Sequence, residues 1–251
     1  MSKSVKVKWN ALLGIVSVLV IFFAAQFMPA FVLSFFMGVF DNKNTQQTFD
    51  WLDKSVIGLS TFQIISCIMA VVLVMLFIKW QKAKISDIGI KKPKVTDILL
   101  GIVMLLPYML TLAVVVTVIS VIFPSFNVDQ KQDIGFDSVS GIVQLTFAFL
   151  SLVVFTPIAE EILTRGLLYS SFKKILPVVG AAIATGAVFA AAHLPEGGDA
   201  GPIYVLAVDT LILSLFLAYL REETGNIWSC ITMHAAKNSL AFLALFVFVA
   251  K

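Results

Sequence analysis

Two adjacent glutamates, Glu160 and Glu161, stand in a stretch of this 251-residue chain that otherwise reads as membrane. The residues before them, Phe147 to Phe155, carry no charge, and Arg165 follows one helical turn after Glu161. An acidic side chain at a bilayer centre costs about 2.5–3.5 kcal/mol on insertion scales, so a pair of them calls for a purpose. Glu161 and Arg165 have i, i+4 spacing and can pair, whereas Glu160 points about 100° away around the helix and is left for other work. The chain has only two histidines. His193 closes the run Phe189-Ala190-Ala191-Ala192-His193, and His234 begins His234-Ala235-Ala236-Lys237-Asn238, where i, i+4 spacing puts His234 and Asn238 on one helix face.

These groups define a limited chemistry. A carboxylate beside an imidazole can hold a water molecule and take its proton, and desolvation makes the carboxylate a stronger base. A second imidazole with an amide can donate hydrogen bonds to the oxyanion that forms when water attacks a carbonyl. Together they make a peptide hydrolase that uses activated water and no covalent intermediate. The same set can instead hold a metal, since two histidines and a glutamate ligate zinc. The chain contains neither a Gly-x-Ser-x-Gly elbow nor a His-Glu-x-x-His run. Asp209 is a further carboxylate within an apolar run, suited to hydrogen bonding a neighbouring helix or to lining a wet cavity. Cys67 and Cys230 lie in apolar segments without a spacing motif and read as small buried hydrophobes.

The elements that must position these residues follow from composition. Apolar residues make up 59% of the chain and charged residues 13%, with a mean hydropathy of +0.98. Soluble domains carry about 25% charged residues, so the fold class is an all-α polytopic membrane protein, residues 1–251 forming a single transmembrane domain. The net charge of +3 needs no nucleic-acid partner; the bilayer is the partner that composition demands. Apolar runs cover 11–40, 55–78, 96–123, 141–174, 177–193, 202–220 and 227–250. The run 141–174 would extend roughly 50 Å as one helix, more than the hydrocarbon core, so it is kinked at Pro157, split in two, or longer than the bilayer is thick. The expected count is therefore seven or eight spans around a buried active-site cavity.

Lys79, Lys82, Lys84, Lys91, Lys92 and Lys94 place their loop in the cytoplasm by the positive-inside rule, and Lys3, Lys6 and Lys8 place the N-terminus there too. Asp129, Asp133 and Asp137 against Lys131 suit an outside loop. The four tryptophans, Trp9, Trp51, Trp80 and Trp228, fall near span ends, where an aromatic belt would hold them. A hairpin closed at 174–177 brings Glu160, roughly 21 Å before the turn, level with His193, roughly 24 Å after it. The turn at 221–226 lies on the same side, so His234 and Asn238 rise into the same zone.

Glu160-Glu161-x-x-x-Arg165, Phe189-x-x-x-His193 and His234-x-x-x-Asn238, in that order on successive helices, resemble the motifs of the CPBP family. These are the CAAX proteases and bacteriocin-processing (Abi) enzymes, typified by the type II CAAX prenyl endopeptidase. The resemblance covers about residues 140–245, which it marks as the catalytic core. It implies an intramembrane glutamic endopeptidase in which Glu160, assisted by His193, activates water. His234 and Asn238 would form the oxyanion site, with Glu161 and Arg165 supporting it. It implies no cofactor, with a zinc-dependent version of the protease as the alternative. Bacterial members are linked to processing small peptides such as bacteriocins and quorum-sensing precursors, and to self-immunity. The expected substrate is thus a peptide or a membrane-associated protein in a bacterium, met by a multi-pass plasma-membrane protein with a cytoplasmic N-terminus. A non-catalytic membrane scaffold or immunity protein is the alternative, and a proton-coupled transporter using Glu160 and Asp209 is a third.

Overall fold

The computed structural model describes residues 7–42, 44–130, 132, 135–136 and 139–248. Lys3, Lys6, Lys131, Asp133 and Asp137 lie outside the described residues. The described chain is helical throughout, and seven of its helices are long and apolar enough to cross a membrane. They are α1 (Ala11–Phe40), α3 (Val56–Trp80), α4 (Val95–Ile122), α5 (Gly141–Phe172), α6 (Val178–Gly198), α7 (Tyr204–Thr224) and α8 (Trp228–Phe248). The short α2 (Thr45–Lys54) lies between the first two, in a stretch whose polarity reads as loop. Asn44 and Gln47 start it, because each side chain accepts from the other's backbone N–H, satisfying two donors a helix start would leave bare.

The long run after Gly141 stays one element of 32 residues. Pro157 has no N–H to give and would clash with the carbonyl one turn back. Wide π-type turns at Leu150–Phe155 and Ile162–Leu168 flank it, and Thr156 N–H reaches Ser151 O five residues back. The missing bond is absorbed by widening the helix instead of breaking it, so seven spans suffice among the described residues. Wide turns also re-aim the side chains between them, and Glu160 and Glu161 sit between these two.

Lipid tails are as apolar as leucine, so close packing rather than hydrophobic transfer holds such helices together. Small residues make that packing possible. A Cβ on Gly101 would lie 2.6 Å from Ser229 O, so α4 meets α8 almost backbone to backbone, and one on Gly186 would lie 2.9 Å from the Leu211 side chain of α7. One apolar core joins α1, α3 and α5 around Val74, Leu167 and Leu168; a second joins α4, α7 and α8 around Tyr108, Leu217 and Met233. Phe31, Val121 and Ile142 face outward, as lipid contact requires. Cys67 and Cys230 are both free and buried, matching their reading as small hydrophobes.

The bundle has two distinct ends. At one, Lys8 Nζ donates to Lys82 O, Lys174 Nζ to Val7 O and Trp9 O, Ile227 N–H to Gly89 O, and Trp228 Nε1 to Lys91 O. At the other, Gln130 donates to Pro202 O and accepts from Tyr204 N–H, and Gln132 donates to Glu196. Trp9 departs from the belt expectation. It is fully buried, donates to Ser171 Oγ at 2.9 Å and packs edge-on against Phe77. An indole leaves the interface when its N–H finds a partner inside. Trp80, by contrast, is exposed at a span end.

Candidate active site

Each motif residue is delivered by a helix whose local sequence sets its direction. Adjacent positions in the regular turns Thr156–Glu161 of α5 aim the two glutamates differently. Glu161 is 0% exposed and receives Arg165 Nη1 at 3.1 Å, while the Glu160 side chain keeps 29% of its surface. Arg165 is also fully buried; its Nη1 donates to Thr164 Oγ1, and its guanidinium lies 4.7 Å from the centroid of the Phe189 ring. The division of labour expected from the i, i+4 spacing is therefore present in the geometry: one acid is sealed by a cation, the other is open.

His234 bridges the two. Its Nδ1 lies 2.9 Å from Glu161 Oε1, the same oxygen that Arg165 reaches, and its Nε2 lies 3.7 Å from Glu160 Oε2. An ionised carboxylate only accepts, so Nδ1 carries a proton and donates it to Glu161, which leaves Nε2 facing Glu160. His193 is fixed in the same way. Its Nδ1 is 2.7 Å from Phe189 O, and because a carbonyl only accepts, Nδ1 must donate and Nε2 is left with a lone pair. Pro195 ends the regular turns of α6 just beyond this histidine and starts the tighter turn Leu194–Ala200, which brings Glu196 Oε1 to 3.9 Å from His193 Nε2. Asn238 donates its amide to Leu152 O at 2.9 Å, a carbonyl within the first wide turn of α5.

Glu160, His193, His234 and Asn238 all line one cavity of about 270 Å³. Glu161 and Arg165 stand behind its wall. Phe189 packs edge-on against both imidazoles, with ring centroids 4.5 Å from His193 and 6.2 Å from His234, and so spaces them across the cavity. The ion-pair neighbour of Glu160 is thus His234, while His193 approaches from the facing wall with Glu196 beside it.

Several lining residues escaped the sequence reading. Gln63 donates to Thr156 Oγ1 at 3.2 Å and forms the wall beside Glu160. It was findable as an amide in an otherwise apolar span, although nothing in α3 signals which helix it faces. Glu196 reads as loop polarity, and only the turn after Pro195 returns it to His193. Lys237 sits inside the last motif, pairs with Asp209 at 3.0 Å, and lines the cavity. Tyr108 donates to the other oxygen of Asp209, so this acid has the neighbouring-helix role expected of it.

The zinc alternative asks for two histidines and a carboxylate around one point. Among the described residues, no group of three His, Cys, Asp or Glu side chains is placed to hold a metal ion.

Residues 142–240 match the family model described as type II CAAX prenyl endopeptidase, Rce1-like. Over this segment the chain is similar to the Rce1-like CAAX proteases. Its seven apolar helices make it a multi-pass membrane protein, and the matched segment contains all six candidate site residues from Glu160 to Asn238. No curated protein and no solved structure matches the chain.

Proposed function

We propose that this protein is a CAAX-type glutamic endopeptidase whose core, residues 140–245, hydrolyses a peptide bond with water activated by Glu160. One observation carries the proposal: of two adjacent acids, the sealed one holds His234 by its Nδ1, and the open one lines a cavity with both histidines and Asn238. Glu160 takes a proton from water, and the water oxygen bonds to the scissile carbonyl carbon. His193, whose Nε2 lone pair is free of the Phe189 carbonyl, helps hold that water. The carbonyl oxygen becomes an oxyanion and accepts from the second amide hydrogen of Asn238 and from His234 Nε2, which donates when the ring is an imidazolium between Glu160 and Glu161. The C–N bond then breaks, and the proton on Glu160 moves to the leaving amine. No metal takes part in any step.

The proposed substrate is a peptide or a membrane-associated protein, such as a bacteriocin-type or signalling precursor, in the plasma membrane of a bacterium. The proposed N-terminus is cytoplasmic, which accords with Lys8 packing against the lysine-rich loop. The decisive experiment is cleavage of a reporter peptide library by purified wild type and Glu160→Gln. A general base contributes about 10²–10⁴-fold. The variant is expected to lose at least the lower end of that range while unfolding at the wild-type temperature, because its side chain is partly exposed and not part of the buried pair. Full activity in Glu160→Gln would sink the mechanism. A Glu160→Gln variant that replaces wild type completely in cells would instead favour the scaffold or immunity role.

A further inference from the structure

The cavity draws its walls from the same ends of its helices. From α8 it takes His234 onward to Phe246, and nothing from Trp228–Met233. From α7 it takes Leu206, Thr210 and Leu213 of the first half, and from α6 the last turns, Phe189 to Glu196. From α3 it takes only Leu59 and Gln63 at the start. All of these ends face the 123–140 connection, where exposed Gln132 lines the cavity and reaches Glu196. The other side is closed. Between the histidines and the lysine-bearing end lie Leu167, Leu168, Leu217, Leu220, Ile227 and Met233, each at most 1% exposed. His234 is only about 10 Å along α8 from Ile227, yet that short path is solid packing, whereas the longer path of roughly 18 Å to Phe246 is cavity wall.

Charge divides the ends in the same sense. The closed end carries Lys8, Lys79, Lys82, Lys84, Lys91, Lys92, Lys94, Lys173, Lys174 and Arg221 against Asp87, Asp97, Glu222 and Glu223. The open end carries Asp41, Asp50, Asp129 and Glu196 against Lys54 among its described charges. Short loops rich in lysine stay in the cytoplasm, so the closed end is cytoplasmic and the cavity mouth is not.

We infer that substrate reaches the site from the extracytoplasmic face, so that the scissile bond belongs to a peptide segment exposed on the outer side of the membrane. This rests on the protease function proposed above. It narrows the substrate class to exported peptides and the outward-facing ends of anchored precursors. A cytosolic chain terminus would have to cross the packed leucine layer to be cleaved.

The test uses full-length protein with single cysteines at Val128→Cys on the 123–140 connection, Gln132→Cys at the mouth and Lys84→Cys in the lysine-rich loop. Val128 and Lys84 are exposed, and the native Cys67 and Cys230 are buried, so the parent protein serves as the blank. Right-side-out and inverted vesicles are treated with a membrane-impermeant maleimide. Labelling of positions 128 and 132 in right-side-out vesicles, with position 84 labelled in inverted ones, is the expected result. The reverse pattern overturns the inference, as does labelling of 128 from outside with 132 reached only from within or from neither side. Labelling reports access without cleavage. Protein that labels as expected yet cleaves nothing would therefore count against the protease function and leave the direction of access standing.

Discussion

Breaking the buried ion pair behind the cavity should separate what holds the site up from what reacts in it. Glu161 and Arg165 are both 0% exposed and 3.1 Å apart. At an effective dielectric near 20 their attraction is about 5 kcal/mol, offset by the cost of bringing both charges out of water. Removing one partner leaves the other charge buried, a loss of about 3–5 kcal/mol. Arg165→Met strands the Glu161 carboxylate with only His234 Nδ1 as a donor. Glu161→Gln strands the guanidinium with the Thr164 hydroxyl and the Phe189 face. The double variant strands nothing. It should therefore be more stable than the two single losses summed would make it, with a coupling of about 2–3 kcal/mol. The glutamine side chain introduced by Glu161→Gln would still offer an amide oxygen to His234 Nδ1–H. The imidazole should thus stay oriented, and the double variant should regain part of the activity the singles lose. Unfolding in mixed detergent micelles gives the stabilities, and reporter-peptide cleavage gives the rates. Stability losses that add within about 0.5 kcal/mol would show that the two side chains do not act as a pair, and the division between sealed and open acids would fall.

Three further outcomes follow from the geometry. Asn238→Ala removes an oxyanion donor and should lower kcat by about 10²–10³-fold with little change in KM, read by steady-state cleavage. A chelator should leave the activity of purified protein unchanged, and elemental analysis should find less than one zinc per chain; loss of activity that zinc restores would reinstate the metal alternative. Gly101→Val should destabilise the bundle, because its Cβ would meet Ser229 O at 2.6 Å, backbone that cannot swing aside. Its unfolding midpoint is expected to fall.

The sequence is most legible where a single local rule decides. Apolar runs found the seven spans, because a bilayer forces every backbone group into a helix. The i, i+4 spacing likewise found the Glu161–Arg165 pair, since on one helix spacing alone sets proximity. Legibility fails where direction depends on a neighbour. The fate of the run around Pro157 was open between kink, split and overhang, and the wide turns that resolve it leave no mark in the hydropathy pattern. Nor could depth matching say which imidazole faces which acid. Glu160 and His193 line one cavity, in keeping with the hairpin arithmetic, yet the ring 3.7 Å from Glu160 belongs to His234. Helix rotation decides that, and it is set by contacts such as Asn238 with Leu152 O that join residues far apart in the chain.

The bridging position of His234 also argues for why two adjacent acids are needed. A glutamate sealed behind the wall with a cation can hold an imidazole but cannot meet water in the cavity. Here one ring spans both tasks: Nδ1 is bound to the acid that Arg165 pairs, and Nε2 is directed at the acid that lines the cavity. Adjacent positions on a regular helix diverge by about 100°, and Glu160 and Glu161 lie in the regular turns Thr156–Glu161. The two acids therefore present different faces, and the imidazole meets them with a different nitrogen toward each.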